Sequence, residues 1–199
     1  MDFLSPDFLI STLGLAGICA VLFAESGILL GLFLPGDSLL FAAGVFAGQG
    51  YFPFWLLLIL GIISAILGDN TGYWFGKKFG PKIFSKEESF FFKKSYVTKT
   101  KEFYEHHGKK TIAVARFVPI VRTFAPVMAG IGNMDYSVFA KWNVIGSIAW
   151  AGIFTSAGLF LSKIFPESEK MLTYITFGII LVSLVPGVYH VVKERIKKK

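Results

Sequence analysis

Long apolar stretches separated by short polar segments make up most of this 199-residue chain. Five of them stand out, at residues 8–47 with a polar turn near residue 35, 54–76, 111–131, 137–161 and 172–192. A helix needs roughly 20 mostly apolar residues to cross a bilayer, so stretches of this length are typical of transmembrane segments. The pattern predicts an all-α integral membrane protein with a single membrane domain over residues 1–199.

Three of the stretches have the features of ordinary spanning helices: 54–76, 137–161 and 172–192. They contain long uncharged runs, and aromatic rings such as Trp55, Trp74 and Trp142 lie near their ends. Amphipathic rings prefer the interface between membrane and water. We therefore expect each of the three to cross the bilayer once.

Residues 111–131 differ, because Arg116, Pro119, Arg122 and Pro126 all fall within them. A proline removes a backbone donor in a place where lipid offers no substitute. This composition predicts a broken, re-entrant hairpin rather than a span.

The first stretch, residues 15–47, shows the same anomaly. Glu25 interrupts one apolar arm, Pro35-Gly36-Asp37 predicts a turn, and residues 39–47 form a second arm too short to span. Irregular backbone at membrane depth is tolerated only where protein or a water-filled cavity satisfies it. Two such hairpins therefore predict a polar cavity between them.

The positive charge is concentrated beside the apolar stretches. The net charge is +7, and ten of the 20 Lys and Arg residues lie in the linker 77–110, with five more in the tail 193–199. The positive-inside rule places both segments in the cytoplasm, so the two hairpins should open from opposite faces. Nucleic acid is excluded as a partner because the rest of the chain is too apolar, with a mean hydropathy of +0.62. The N-terminus has no basic region typical of a cleaved signal peptide.

A weak internal sequence repeat, here called the sequence echo, agrees with two hairpins that open from opposite faces. Phe-Ala-Ala-Gly at 41–44 and Val-Met-Ala-Gly at 127–130 are followed by further matches at corresponding offsets. Inverted repeats with broken helices that meet near the midplane are a transporter architecture. The echo thus favours an inverted-repeat, transporter-like fold.

Four charged residues inside the hairpins are the candidates for function: Glu25, Asp37, Arg116 and Arg122. A charge at the bilayer centre costs about 2.5 to 3.5 kcal/mol, so such residues need partners or a purpose. A turn at Pro35-Gly36 would bring the acids together, and a break at Pro119 would let the arginines converge as a clamp for phosphate or carboxylate. The acids could then carry protons, although simple pairing of the four charges is an alternative.

The remaining reactive residues predict little chemistry. Asp69 is expected near the cytoplasmic end of its span, hydrogen-bonded to backbone in a structural role. Cys19 is read as a buried hydrophobe, and the three histidines lack the companions that a metal site requires. No metal or other cofactor is predicted.

Several motifs resemble those of the DedA family, of the VTT or SNARE-associated type. They are Phe-Ala-Glu-Ser-Gly at 23–27, Pro-Gly-Asp at 35–37, Gly-Asp-Asn-Thr-Gly-Tyr at 68–73 and Ala-Arg-Phe-Val-Pro-Ile-Val-Arg at 115–122. The resemblance covers nearly the whole chain. It implies a bacterial inner-membrane protein with two opposed re-entrant hairpins that moves lipids between leaflets with the proton motive force. It also implies that the family's essential acids correspond to Glu25 and Asp37, and its essential arginines to Arg116 and Arg122.

Three functions remain in competition. A transporter of an anionic lipid is favoured. The resemblance implies undecaprenyl phosphate ahead of phosphatidylethanolamine or another phospholipid, whereas the two arginines alone do not distinguish among phosphate-like groups. A membrane hydrolase would need a nucleophile with a base or a metal cluster, which neither Cys19 nor the histidines provide, so no enzyme is predicted. A scaffold or assembly factor would not need charges inside broken helices. Homo-oligomerisation stays open.

Overall fold

A computed structural model describes residues 6–27, 36–83 and 110–164. Within them the chain is helical and contains no strand. The six helices are α1 (Pro6–Gly27), α2 (Gly36–Gly48), α3 (Phe54–Ile83), α4 (Thr111–Ala115), α5 (Pro119–Ile131) and α6 (Tyr136–Ile164). The predicted span 172–192, the tail 193–199, most of the basic linker and Pro35 lie outside the described residues.

Two long helices, α3 and α6, form the frame. Over Phe54–Gly80 and Tyr136–Ile164 they are long and apolar enough to cross a membrane, as predicted for residues 54–76 and 137–161. Their directions are opposite, since Tyr73 stacks on Phe139 with ring centroids 4.6 Å apart, while Ala65 packs with Trp150. Large apolar side chains on α3 face outwards at helical spacing, among them Trp55, Ile59, Ile63 and Leu67. Such a surface is suited to lipid.

Helix α3 is longer than the predicted span 54–76. It continues to Ile83, so residues 77–83 of the predicted basic linker are helical. Lysine is a good helix former, and Lys77 and Lys78 therefore do not end the helix. The Lys77 ammonium lies 5.7 Å from the centroid of Tyr73 and 5.3 Å from that of Trp74, which stabilises its position on the last turns.

Two of the three connections between helices in the described regions have clear local causes. Gly50 has a φ of 89°, a conformation that suits glycine, and lets the chain reverse between α2 and α3. At the start of α6, an Asp135 carboxylate oxygen accepts hydrogen bonds from the backbone N–H groups of Ser137 (2.9 Å) and Val138 (3.2 Å). This is an N-cap that satisfies donors left free at the beginning of the helix.

The short helices lie against the long ones in a defined register. Leu15 of α1 packs with Leu57, and Gly27 lies against Gly68, so α1 runs in the same direction as α3. On the other side α2 runs in the same direction as α6, because Gly44 lies at Thr155 and Gly48 at Ser162. Helices α1 and α2 are therefore antiparallel to each other.

The second short pair, α4 and α5, lies against the long helices in the opposite order. Gly72 contacts Pro126 and Gly80 contacts Ile131, so α5 runs in the same direction as α3. The preceding helix, α4, lies on α6, where Ile112 packs with Phe139. In the first pair, α1 and α2, the chain therefore runs first along α3 and then along α6. In the second pair, α4 and α5, it runs first along α6 and then along α3.

The α2–α6 and α3–α5 contacts are built alike. A Cβ atom on Gly44 would collide with the carbonyl oxygen of Thr155, and one on Gly158 would collide with that of Phe41. In the other contact the glycines are Gly130 and Gly76, and the carbonyls belong to Tyr73 and Val127. Positions 41 and 44 correspond to 127 and 130 in the sequence echo, so the echo marks two equivalent backbone crossings.

The predicted break in residues 111–131 is present. Helix α4 ends at Ala115, Val118 is extended (φ −111°, ψ 109°), and α5 begins at Pro119. Proline fits the first helical position because its missing N–H would have no partner there. The break places Arg116 before the turn and Arg122 one turn into α5.

Candidate functional site

The end of α1 and the beginnings of α2 and α5 bring charged residues together halfway along α3 and α6. Arg122 of α5 forms ion pairs with Glu25 near the end of α1 and with Asp37 in the first turn of α2, one through each terminal nitrogen. These three residues are the Arg122 triad. The sequence predicted that the two acids would come together and gave their pairing with the arginines as an alternative; the structure places both acids on Arg122.

Gly36 makes this approach possible. A Cβ atom on Gly36 would overlap the carboxylate of Glu25, so the backbone at the start of α2 passes directly over the acid. Its predicted supporting role thus has a steric basis. Pro119, also predicted to support the site, begins α5 and sets the position from which Arg122 projects.

Arg116 has different partners. It forms an ion pair with Asp69 of α3, and the same nitrogen donates a 3.1 Å hydrogen bond to the side-chain oxygen of Asn143 on α6. These three residues are the Arg116 triad. Ser147 supports it by donating a 2.8 Å hydrogen bond to the backbone carbonyl oxygen of Asn143.

The structure corrects the expectation for Asp69. It does not lie at the end of a span with backbone partners but is buried in the middle of α3, bound to Arg116. The physical reason is the greater length of α3, which carries the helix well past Asp69 to Ile83. The site therefore contains three acids and two arginines rather than two of each.

Trp150 of α6 joins the two triads. The Arg116 and Arg122 guanidinium carbons lie 5.4 Å and 5.5 Å from its ring centroid, within the range of cation–π attraction. Its indole N–H donates a 2.5 Å hydrogen bond to Asp37, and the residue is only 1% exposed. One side chain thus contacts both arginines and one acid.

Asn143 and Trp150 were missed by the sequence reading. They are seven residues apart, which places them on the same face of α6 two turns from each other. A polar residue and a tryptophan sharing one face in the middle of a span is the signal that could have identified them.

Exposure differs across the site. The exposed fraction of the side chain is 3% for Glu25, 5% for Arg116 and 8% for Asp69, but 11% for Arg122 and 29% for Asp37. Asp37 also lines a cavity of about 200 Å³ together with Ser38, Phe41 and Phe154. Among the described residues, the Nε of Arg122 has no hydrogen-bond partner. The Arg122 triad is therefore the open end of the site.

Two helices long and apolar enough to cross a membrane, with ion pairs buried between the helices, are typical of a helical integral membrane protein. The chain belongs to the VTT domain family, whose model matches residues 34–160. This confirms the resemblance found in the motifs.

Named relatives agree with this assignment. Protein DedA of Escherichia coli K12 is 47% identical over 177 residues, covering 88% of this chain and 80% of the relative. An uncharacterized membrane protein of Mycobacterium tuberculosis H37Rv is 41% identical over 94% of this chain and 85% of its own length. Undecaprenyl phosphate transporter A of Bacillus subtilis is 27% identical over 94% and 91%. No solved structure matches the chain.

Proposed function

We propose that this protein is a transporter, not an enzyme, that moves a phosphate-bearing lipid across the bacterial cytoplasmic membrane with the proton motive force. Undecaprenyl phosphate is the leading substrate, in a recycling role. The observation that carries the proposal is Arg122, an arginine held between two carboxylates at the open end of a buried site, beside a cavity. The name of the Bacillus relative supports the same substrate.

The register of the helices supports an alternating-access architecture. The α1–α2 pair enters along α3 and returns along α6, whereas the α4–α5 pair enters along α6 and returns along α3. Two re-entrant hairpins that open from opposite faces and turn at one depth would produce this arrangement. The two equivalent glycine crossings support an inverted repeat, in which one half rocks against the other around a central site. The basic linker and tail would face the cytoplasm.

Substrate exchange would centre on the Arg122 triad. A guanidinium binds phosphate oxygens through paired hydrogen bonds. On Arg122 the two terminal nitrogens are each taken by a different carboxylate, that of Asp37 and that of Glu25. When an acid takes up a proton, it no longer competes for Arg122 and phosphate can bind. When the acid ionises again on the other side, it displaces the phosphate. This competition would couple transport to protons.

Phosphatidylethanolamine is the second candidate, since the same site offers carboxylates for its ammonium beside an arginine for its phosphate. A scaffold function remains an alternative from another class, in which the ion pairs only hold the helices together.

Liposomes carrying the purified full-length chain test the proposal. Labelled undecaprenyl phosphate and phosphatidylethanolamine are supplied separately, with and without a pH gradient. We expect undecaprenyl phosphate to cross faster than in empty liposomes, to be accelerated by the gradient and to stop in Arg122→Gln. The control variant is Lys141→Gln, an exposed cation at the beginning of α6. Equal rates in protein-containing and empty liposomes for both lipids would leave the scaffold as the better explanation.

A further inference from the structure

The cavity beside Asp37 lies between α2 and α6. Its lining is almost entirely apolar and is formed by Asp37, Ser38, Phe41 and Phe154. Phe41 follows Asp37 by one turn of α2, and Phe154 follows Trp150 by one turn of α6. The ring centroids of Trp150 and Phe154 are 6.1 Å apart. The two phenylalanines of the cavity therefore lie one helical turn from residues that contact Arg122.

The cavity is too small for a whole lipid. Its volume is about 200 Å³, and sites that enclose a drug-sized ligand measure roughly 300 to 1,000 Å³. It also cannot extend far along the helices, because α2 and α6 are in backbone contact at Gly44 with Thr155 and at Gly158 with Phe41. Only the part of a ligand next to its head group fits.

We propose that this cavity, the α2–α6 subsite, binds the first carbons of a lipid's hydrocarbon chain while the phosphate lies on Arg122. The proposal rests on the transport function above and specifies how its substrate is held. A phosphate that replaces Asp37 at Arg122 would direct its ester carbon towards Phe41 and Phe154. These phenyl groups offer nothing to a free anion but suit hydrocarbon. The subsite would therefore select a phosphate monoester with an apolar chain over inorganic phosphate.

Photocrosslinking tests where the chain lies. The probe is a ten-carbon prenyl phosphate with a diazirine on a carbon near the phosphate, added to the full-length protein in liposomes. We expect labelled peptides from α2 and from the Phe154 region of α6, and loss of this labelling in Arg122→Gln. Undecaprenyl phosphate should compete, whereas inorganic phosphate and undecaprenol should not. Labelling that is spread over the outer faces of α3 and α6, or that persists in Arg122→Gln, would overturn the subsite.

A filling substitution provides the second measurement. Ser38→Leu places an apolar side chain in the subsite, and its matched control is Ser156→Leu, the same change at an exposed position of α6. We expect Ser38→Leu to raise the lipid concentration for half-maximal transport about tenfold, which corresponds to the displacement of about two buried methylene groups. Ser156→Leu should change it less than twofold.

The two proposals fail in different ways. If the wild-type protein moves no lipid but the probe still labels α2 and Phe154 in an Arg122-dependent manner, the transport function is wrong and the lipid subsite stands. If the wild-type protein transports undecaprenyl phosphate, and Ser38→Leu transports it with unchanged concentration dependence, the subsite is wrong and the transport function stands.

Discussion

The two triads use the same chemistry in different surroundings. In the Arg116 triad the arginine has one carboxylate and one amide as partners, both from the middle of long helices, and all three residues are buried. In the Arg122 triad the arginine is shared by two carboxylates at the ends of short helices, and Asp37 reaches a cavity. A charge held by rigid helices and shielded from ligands is suited to structure. A charge held by helix ends beside a cavity is suited to exchange.

The largest effect is expected at Arg122. Arg122→Gln should reduce lipid transport in liposomes at least 30-fold, because removing one partner of a buried charge pair costs about 2 to 5 kcal/mol. Arg122→Lys should recover little, since an ammonium lacks the planar fork that binds two oxygens at once. Lys141→Gln should be unaffected. Full activity of Arg122→Lys would show that bidentate recognition is not what the residue supplies.

Variants of the two acids in the Arg122 triad should distinguish lipid binding from proton-coupled transport. Glu25→Gln and Asp37→Asn imitate the protonated forms, so the variants should still bind labelled undecaprenyl phosphate but lose acceleration by a pH gradient. Binding and gradient-driven transport are measured on the same liposome preparations. If both variants keep the parental rate and pH dependence, the acids are structural partners of Arg122 and the contrast between the triads disappears.

Asp69 should behave as a structural partner. Asp69→Asn leaves Arg116 without its counter-charge, and breaking a buried pair on one side destabilises a protein by about 3 to 5 kcal/mol. We expect a lower thermal unfolding temperature in detergent and partial recovery in the double variant Asp69→Asn/Arg116→Gln, which removes both charges. The control is Thr71→Ala, an exposed position of the same helix.

Asp69 could instead take part in exchange. If Asp69→Asn has unchanged thermal stability and its lipid transport no longer responds to a pH gradient, Asp69 takes part in proton exchange and is not only a structural partner of Arg116.

Trp150 should give the smallest effect, because Phe retains a ring against both arginines. Trp150→Phe removes the N–H donated to Asp37, and a hydrogen bond to a charged group is worth about 1.5 to 3 kcal/mol. We expect transport to fall about tenfold and the thermal unfolding temperature to fall as well, because the lost hydrogen bond also stabilises the fold. Trp55→Phe, on the outer face of α3, is the control. Equal transport by the two variants would show that the Asp37 contact is dispensable.

The sequence predicted the Arg122 triad better than the Arg116 triad, and the reason is physical. Asp37 and Arg122 lie just after Pro35-Gly36 and Pro119, which predict local turns, so their positions depend on short segments of the sequence. Asp69, Asn143 and Trp150 lie inside uninterrupted helices. Their side-chain contacts depend on how α3, α4 and α6 are rotated and shifted against one another. No local sequence pattern specifies that register.

The length of α3 escaped prediction for a related reason. Lys77 and Lys78 were read as the beginning of a basic linker, since positive charge marks the cytoplasmic side of a span. Charge reports where the membrane ends, however, and not where the helix ends. The helix persists because these residues favour it and because Lys77 lies on the rings of Tyr73 and Trp74.

The paired glycine crossings have a consequence for biogenesis. Helix α2 packs on α6, and α6 is synthesised only after α3, α4 and α5. Helix α3 likewise cannot form its contact with α5 until α5 has been synthesised. Each half of the chain therefore lacks its main partner surface until the other half is inserted. The two halves should become protease-resistant together and late, and a nascent chain that ends before α6 should depend on membrane chaperones to hold α2 in place.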